Sequence, residues 1–291
     1  MILNGMPDLR PMLPTDVDAA TEMILSNEWG VRRDWLAYAA TSEACSPVVA
    51  VEADGRIVAT GVGTANGPVG WIGSIFVAPD ARGSGLGTAV TEAVIDRLEA
   101  AGCTALVLVS ASKAAQRIYE RMGFAVQTRY RILEASGLPA SAAPSSARRE
   151  APAIIRPFEP GDLRAVCSLD RDATGEDRRH ALAAFANKES TKVLITAEGE
   201  VRAFVCRAPW GGGATIARTI DDAMAIVEAR RRAAGLGGRV RVGILQENDD
   251  GHARLVAGGW TPSWSAPRML RGEMPAWHPE RIWGQLNHAM G

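Results

Sequence analysis

Residues 71–88, WIGSIFVAPDARGSGLGT, carry the pattern that decides the fold of the first half of this chain. Residues 71–77 are almost all apolar and β-prone, which predicts a buried strand. Pro79 ends that strand, and apolar residues recur at helical spacing over residues 90–98. The stretch therefore predicts a strand that passes through a short glycine-rich loop into a helix.

The loop between this strand and helix, residues 82–87, reads Arg-Gly-Ser-Gly-Leu-Gly. Such a loop places several backbone N–H groups at a helix N-terminus with little side-chain bulk, and the helix dipole favours a phosphate there. A dinucleotide site would require an acidic residue after the next strand, where Ser110 stands, and a P-loop would require a lysine, which is absent before Lys113. The remaining alternatives are another kind of phosphate loop and a plain turn whose glycines only permit close packing.

Two motifs of the first half resemble the GNAT family of N-acetyltransferases in their order and separation. The first resembles that family's acetyl-CoA pyrophosphate loop and consists of Ile75-Phe76-Val77 followed by Arg82-x-x-Gly85-x-Gly87. The second resembles the family's following helix and turn and reads Ala115-x-x-x-Tyr119-x-x-x-Gly123-Phe124. The element order predicted over residues 8–133, β-α-α-β-β-β-α-β-α-β, is also that of the GNAT fold. The resemblance thus implies an α/β protein with a mixed α+β sheet.

The second half of the chain repeats the beginning of the first. IRPFEPGDL, residues 155–163, matches LRPMLPTDV, residues 9–17, which predicts two tandem GNAT domains. We expect a catalytic domain over residues 1–133, an Ala/Ser/Pro-rich linker over 134–152 and a degenerate GNAT-like domain over 153–291. The aromatic residues after 272 predict a C-terminal helix that carries Trp277, Trp283 and His288.

The second copy lacks the chemistry of the first. Its strand-to-helix junction, residues 217–222, has no glycine nest and carries Asp221 and Asp222, which would repel a pyrophosphate. Leu255 stands where the first copy has Tyr119. We therefore expect the second copy not to bind coenzyme.

The resemblance to GNAT enzymes assigns roles to individual residues. It implies that the backbone of Val77 pairs with the pantetheine arm and that N–H groups near Phe76 and Val77 face the thioester oxygen. Tyr119 matches the family's general acid, which protonates the departing thiolate. The alternative for Tyr119 is a half-buried residue that packs beneath the loop. The predicted contacts of acetyl-CoA are Ile75, Phe76, Val77, Arg82, Gly83, Ser84, Gly85, Leu86, Gly87, Thr88, Ser112 and Ala115. Ser112 departs from the asparagine that the family often has there, which predicts weaker coenzyme binding.

The acceptor side of the site is less defined by the sequence. Trp29 and Trp35 are candidates for one wall of an acceptor pocket, with two core-facing tryptophans as the alternative. Three acids lie in or after the helices that shape this side in GNAT enzymes, and each is also typical of a solvated surface: Glu28, Asp34 and Glu43. The four histidines, His180, His252, His278 and His288, all fall in the second half. The sequence therefore assigns no general base.

Charge, apolar runs and cysteine spacing argue against several classes of protein. A net charge of −1 gives no electrostatic attraction to nucleic acid or to an anionic membrane. The sequence has neither a signal-peptide pattern nor an apolar run of membrane-spanning length. The four cysteines are scattered, which favours free thiols in the cytoplasm, and His, Cys and acidic residues show no metal-ligand spacing.

The functional prediction is an N-acetyltransferase that moves acetyl from acetyl-CoA directly to a primary amine, with no metal. A small-molecule acceptor is favoured over a protein, and the chain is expected to be a monomer or a homodimer. Two alternatives stay open. One is a non-catalytic acyl-CoA-binding regulator whose second domain binds a partner, and the other is an enzyme that uses a longer acyl group or a protein N-terminus.

Overall fold

The computed structural model describes residues 7–25, 30, 32–141 and 153–291. The chain forms two compact units, and each unit consists of several segments that are separate in the sequence. The first unit comprises Met1–Leu108, Arg271–Glu273 and His288–Met290, and the second comprises Val109–Leu270, Met274–Asn287 and Gly291. Both units combine helices with β-sheet, as the predicted α/β class requires.

The first unit contains five neighbouring strands in the order β1-β2-β3-β4-β5. The pairs from β1 to β4 are antiparallel, and β4 and β5 are parallel. Helix α3 packs closely on this sheet because β3 presents glycines to it. A Cβ on Gly61 would lie 2.6 Å from Val90 Cγ1, and one on Gly63 would lie 3.0 Å from Val94 Cγ1. The elements of this unit are β1 (Asp8–Pro11), α1 (Val17–Leu25), α2 (Arg33–Ala39), β2 (Cys45–Val51), β3 (Ile57–Asn66), β4 (Val69–Val77), α3 (Leu86–Ala100) and β5 (Ala105–Val109, whose last residue belongs to the second unit).

The second unit contains two groups of strands, ordered β12-β6-β11 and β13-β10-β9-β8-β7. Its elements are α4 (Lys113–Arg121), β6 (Ala125–Ser136), β7 (Ala153–Pro157), α5 (Leu163–Thr174), α6 (Arg179–Phe185), β8 (Thr191–Thr196), β9 (Val201–Arg207), β10 (Gly213–Ala217), α7 (Ile220–Ala234), β11 (Arg239–Leu245), α8 (Asp249–Ala257), β12 (Thr261–Gly272, whose last two residues belong to the first unit) and β13 (Ile282–Gly284).

The internal repeat predicted from the sequence is confirmed by the element order. The series from β1 to β5 recurs as the series from β7 to β11, and a helix and a long strand follow each copy. The matching sequence stretches also form matching ion pairs. Arg10 Nη1 lies 2.6 Å from Asp16 Oδ2, and Arg156 Nη1 lies 2.7 Å from Asp162 Oδ2. The two copies thus begin with the same local structure.

The compact units differ from the predicted domains at the end of the first copy. The strand predicted to close the first domain near residue 133 forms as β6, but it pairs with β11 and β12. Leu133 and Ala135 pack in the same core cluster as Val240 and Val242 of β11. One boundary between the compact units therefore falls after Leu108, and residues 134–136 of the predicted linker belong to a strand, while the bounds of the predicted domains stay a prediction. Residues 142–152 of that linker lie outside the described part of the chain.

The predicted C-terminal helix is wrong. Residues 279–281 form a single 3-10 turn, and the next residues form β13, which pairs with β10. Pro275 and Pro279 disfavour a continuous helix, because proline lacks a backbone N–H and its ring clashes with the preceding turn. Trp283 is fully buried in the core from a strand.

Within the described residues, no helix combines the length and apolar character that crossing a membrane requires.

Candidate active site

The glycine-rich loop of the first unit leads into α3 without a protein side chain to cap the helix. Gly83 and Gly85 have φ values of +82° and +86°, a region that residues with a side chain rarely adopt. Gly85 is the N-cap residue, and no side chain in the described structure bonds to this N-terminus. The first N–H groups of a helix have no partner within the helix, so this loop presents several donors and the positive end of the dipole. This arrangement suits a phosphate or pyrophosphate.

Arg82 fastens the loop to the end of β4. Its Nε donates to the carbonyl oxygen of Val77 at 3.1 Å, and its guanidinium carbon lies 5.9 Å from the ring centroid of Phe76. Ser84 Oγ donates to the carbonyl oxygen of Ala81 at 2.7 Å, which closes the turn from within. Arg82 is exposed, so its charge is accessible from solvent beside the loop.

Strand β4 runs past its parallel neighbour. Its pairing with β5 extends from Val69↔Ala105 to Ile72↔Leu108, whereas β4 itself continues to Val77. On the other side, pairing with β3 persists to Ala59↔Val77. The strand segment that contains the predicted thioester contacts therefore has β3 on one side and no parallel pairing to β5 on the other.

A β-bulge distorts β4 at the start of that segment. The register with β3 shifts between Thr60 and Val62, and Ser74 has a φ of +52°, the one positive φ among the described residues that are not glycine. Thr60 Oγ1 donates to the carbonyl oxygen of Ser74 at 2.9 Å and holds this conformation. Strained backbone of this kind concentrates at functional sites.

The other predicted contacts of the coenzyme lie in the second unit, on α4 or at its start. Ser112 caps this helix, since its Oγ accepts a hydrogen bond from the N–H of Ala115 at 3.1 Å. The ring of Tyr119 meets that of Phe124 edge-on, with centroids 6.2 Å apart. Burial raises the pKa of Tyr119 to about 12, so the phenol keeps its proton across the physiological range. The roles of Ser112, Ala115 and Tyr119 stay predictions.

The predicted acceptor residues have different surroundings. Trp35 is 2% exposed, and its Nε1 donates to Ser74 Oγ at 2.9 Å, which joins α2 to the β4 bulge. Trp29 and Glu28 lie outside the described residues. Asp34 and Glu43 are exposed. The assignment of Trp29 and Trp35 to an acceptor pocket therefore stays a prediction.

A segment that the sequence analysis did not connect with this site is residues 288–290, which belong to the first unit. Thr64 Oγ1 donates to the carbonyl oxygen of Ala289 at 2.8 Å, and Asn66 Nδ2 donates to that of Met290 at 2.9 Å. The available signal was the presence of Thr64 and Asn66 near the end of a mostly apolar strand. Buried polar groups require partners, and these two bond to the backbone of a distant segment.

His288 is therefore a histidine of the first unit, although its position in the sequence suggested the second half. It is half-buried, and burial together with the nearby charge of Arg32 lowers its pKa to about 4. The imidazole is neutral at pH 7.

We expect the pH dependence of stability to differ between the wild type and His288→Gln. Between pH 6.5 and pH 4, His288 binds a proton in the unfolded chain but not in the folded chain. Its contribution to the free energy of unfolding is therefore complete above pH 6.5 and is lost as the pH falls. The wild type should lose up to about 3 kcal/mol more than the variant over this range. Urea unfolding of both proteins at about pH 7 and about pH 4.5 measures the difference, and equal losses would contradict the assignment.

At the corresponding strand-to-helix junction of the second unit, the N-terminus of the helix is capped by side chains of the protein itself. Thr219 is the N-cap of α7, and its Oγ1 accepts from the N–H of Asp222 at 3.2 Å. Asp222 is 2% exposed and lies 2.9 Å from Arg202 Nη2. The helix N-terminus is thus already capped and carries a buried carboxylate.

One acetyl-CoA per chain is the binding stoichiometry that we expect from these two junctions. Only the first leaves donors uncapped by described side chains, and the second would oppose an anion with Asp221 and Asp222. Isothermal titration calorimetry measures the number directly. Two equivalent sites per chain would show that the second junction also binds coenzyme.

Among the described residues there is no group of three or more His, Cys, Asp or Glu side chains placed to bind a metal ion.

Comparison with protein families identifies both halves. The model of the acetyltransferase (GNAT) family matches residues 15–124, and a model of an acetyltransferase (GNAT) domain matches residues 166–284. The chain belongs to the GNAT acetyltransferase family and contains two tandem GNAT domains. Membership of this family implies acyltransferase activity.

Solved structures show the same fold over nearly the whole chain. A putative acetyltransferase from Pyrococcus horikoshii is 19% identical, with a TM-score of 0.78 and coverage of 100% of this chain and 98% of that one. A GCN5-related N-acetyltransferase from Sphaerobacter thermophilus is 16% identical, with a TM-score of 0.61 and coverage of 94% and 98%. A tandem GNAT protein from the clavulanic acid biosynthesis pathway is 12% identical, with a TM-score of 0.61 and coverage of 92% and 99%. A comparison with curated protein sequences gave no match.

Proposed function

We propose that this protein transfers acetyl from acetyl-CoA directly to a primary amine of a small molecule. The observation that carries the proposal is the loop of the first unit. Two glycines with positive φ lead into a helix that no described side chain caps, beside a strand that continues past its parallel neighbour. The loop supplies donors for the pyrophosphate, and the end of β4 offers backbone groups to an extended pantetheine arm.

Different residues of the proposed site bind the coenzyme, stabilise the intermediate and protonate the leaving group. The N–H groups of residues 82–88 and the charge of Arg82 hold the pyrophosphate, and backbone N–H groups near Phe76 and Val77 stabilise the negative oxygen of the tetrahedral intermediate. The neutral amine nitrogen first bonds to the acetyl carbon, which forms the tetrahedral intermediate, and the intermediate then collapses as its carbon–sulfur bond breaks. The additional proton on the amine nitrogen is released to water. Tyr119 supplies the proton that the departing thiolate takes.

The acceptor amine must be deprotonated before it attacks, because an alkylammonium has a pKa of about 10. We assign acetyl-CoA as the acyl donor because the loop resembles the acetyl-CoA pyrophosphate loop of GNAT enzymes. A non-catalytic acyl-CoA-binding regulator is the competing function, and it shares the coenzyme loop but predicts no turnover.

The test combines binding with turnover. Calorimetry measures acetyl-CoA binding to the full chain, and thiol release from acetyl-CoA is then followed with a panel of primary amines. Saturable binding with amine-dependent release of CoA supports the enzyme. Binding without release by any amine, peptide amines included, favours the regulator, and absence of binding rejects both.

A further inference from the structure

Three elements of the first unit meet at the bulge of β4. Trp35 of α2 donates to the hydroxyl of Ser74, as described above. Gly73, the residue before the bulge, lacks a side chain where the segment of residues 288–290 approaches. A Cβ at this position would lie 2.4 Å from Ala289 Cβ and 2.7 Å from the carbonyl oxygen of His288. The backbone of His288 therefore lies at the bulge, next to the strand segment assigned to the thioester.

Arg32 approaches the same place from α2. It is the N-cap residue of that helix, three positions before Trp35, and this spacing places the two residues on one side of the helix. The positive charge of Arg32 also disfavours protonation of the His288 imidazole. Within the described residues, Arg33 forms an ion pair with Asp18 at 2.8 Å, whereas Arg32 forms none. Arg32, an exposed residue, thus lies within one helical turn of the Trp35–Ser74 contact, at the bulge that the backbone of His288 also approaches.

We propose that Arg32 and His288 bind the acceptor, and that this acceptor is a primary amine that also carries a carboxylate. The inference rests on the N-acetyltransferase function proposed above and names the acceptor class for the same site. The guanidinium of Arg32 holds the carboxylate, since Arg–carboxylate hydrogen bonds are charge-assisted and directional. The imidazole of His288 hydrogen-bonds to the amine. A diamine would instead place its second cation beside Arg32, where like charges repel.

Three amines of similar length separate these cases: β-alanine carries a carboxylate, propylamine carries no second charge, and 1,3-diaminopropane carries a second cation. We expect the wild type to acetylate β-alanine with a kcat/KM about tenfold or more above that of the other two. Arg32→Gln should lower the value for β-alanine to that for propylamine, mainly through KM. His288→Gln should lower kcat/KM for β-alanine and propylamine by a similar factor, about five- to tenfold.

Arg33→Gln is the matched control, because it removes the same charge from the adjacent position, where Arg33 pairs with Asp18. It should leave the preference for β-alanine unchanged. Acetyl-CoA binding should also stay within about twofold of wild type in all three variants, since residues 82–88 hold the coenzyme. Equal acetylation of the three amines by the wild type, or the same loss in Arg33→Gln, would overturn the inference. Failure of the wild type to bind acetyl-CoA would instead reject the proposed function.

Nuclear magnetic resonance provides a readout that does not require turnover. In CoA-bound protein with labelled histidine, His288 is assigned as the signal that disappears in His288→Gln. We expect β-alanine to shift this signal and an equal concentration of propylamine to leave it in place. No shift with β-alanine would overturn the inference even where none of the three amines is acetylated.

Discussion

Replacement of Gly85 by aspartate should weaken acetyl-CoA binding about 100-fold or more while the fold is retained. Gly85 is the N-cap residue of α3, and its φ of +86° disfavours any residue with a side chain. No atom lies within 4 Å of a Cβ placed there, so the side chain fits without a clash. The carboxylate would then accept from the N–H groups that the pyrophosphate needs and would repel its negative charge. Calorimetry of wild type and variant measures the loss.

The same helix offers a matched control at its other end. Gly102 follows α3, has a φ of +88°, and also has no atom within 4 Å of a Cβ position. Gly102→Asp therefore introduces the same side chain and similar backbone strain far from the loop. We expect it to bind acetyl-CoA like the wild type, with a melting temperature lowered at least as much as in Gly85→Asp, because an aspartate is unfavourable at a helix C-terminus and favourable at an N-terminus. Wild-type affinity in Gly85→Asp would show that the loop is only a turn.

Local patterns in the sequence predicted the elements of the first unit well. The glycines of the loop and the apolar periodicity of α3 act over a few residues, so their effect on the backbone does not depend on distant contacts. The same holds for the stretches around Arg10 and Arg156, where each arginine pairs with an aspartate six residues later.

Strand partners and the C-terminal segment could not be predicted in this way. An isolated β6 has the composition of a strand, but nothing in it specifies that β11 and β12 are its neighbours. His288 reaches the first unit because Thr64 and Asn66 bond to the backbone of residues 289 and 290, whose carbonyl oxygens are present in any sequence. Contacts of this kind depend on the fold rather than on a residue pattern. Trp283 was assigned to a helix because aromatic residues mark burial without specifying the element that carries them.

Replacement of Tyr119 by phenylalanine should lower kcat by about 100-fold or more and leave acetyl-CoA affinity within about twofold. The change removes the phenolic proton but keeps the ring and its edge-on contact with Phe124. The raised pKa of about 12 makes the phenol a weaker acid, so the role requires that burial also raises the pKa of the departing thiol above its usual value of about 8.5. A proton held this firmly stays on Tyr119 until the thiolate forms.

The pH profile gives a second test of the same role. Because the pKa of Tyr119 is raised to about 12, its deprotonation should produce no fall in the wild-type rate below about pH 11, while deprotonation of the acceptor amine raises the rate from the acid side. Tyr38→Phe is the control, since Tyr38 is also half-buried and also has a pKa raised by burial, but no catalytic role is assigned to it. It should turn over like the wild type. If Tyr119→Phe does so too, the tyrosine is a packing residue and protonation of the thiolate must come from water or another group. If Tyr119→Phe instead loses acetyl-CoA affinity and turnover together, its hydroxyl contributes to binding of the coenzyme rather than to the chemical step.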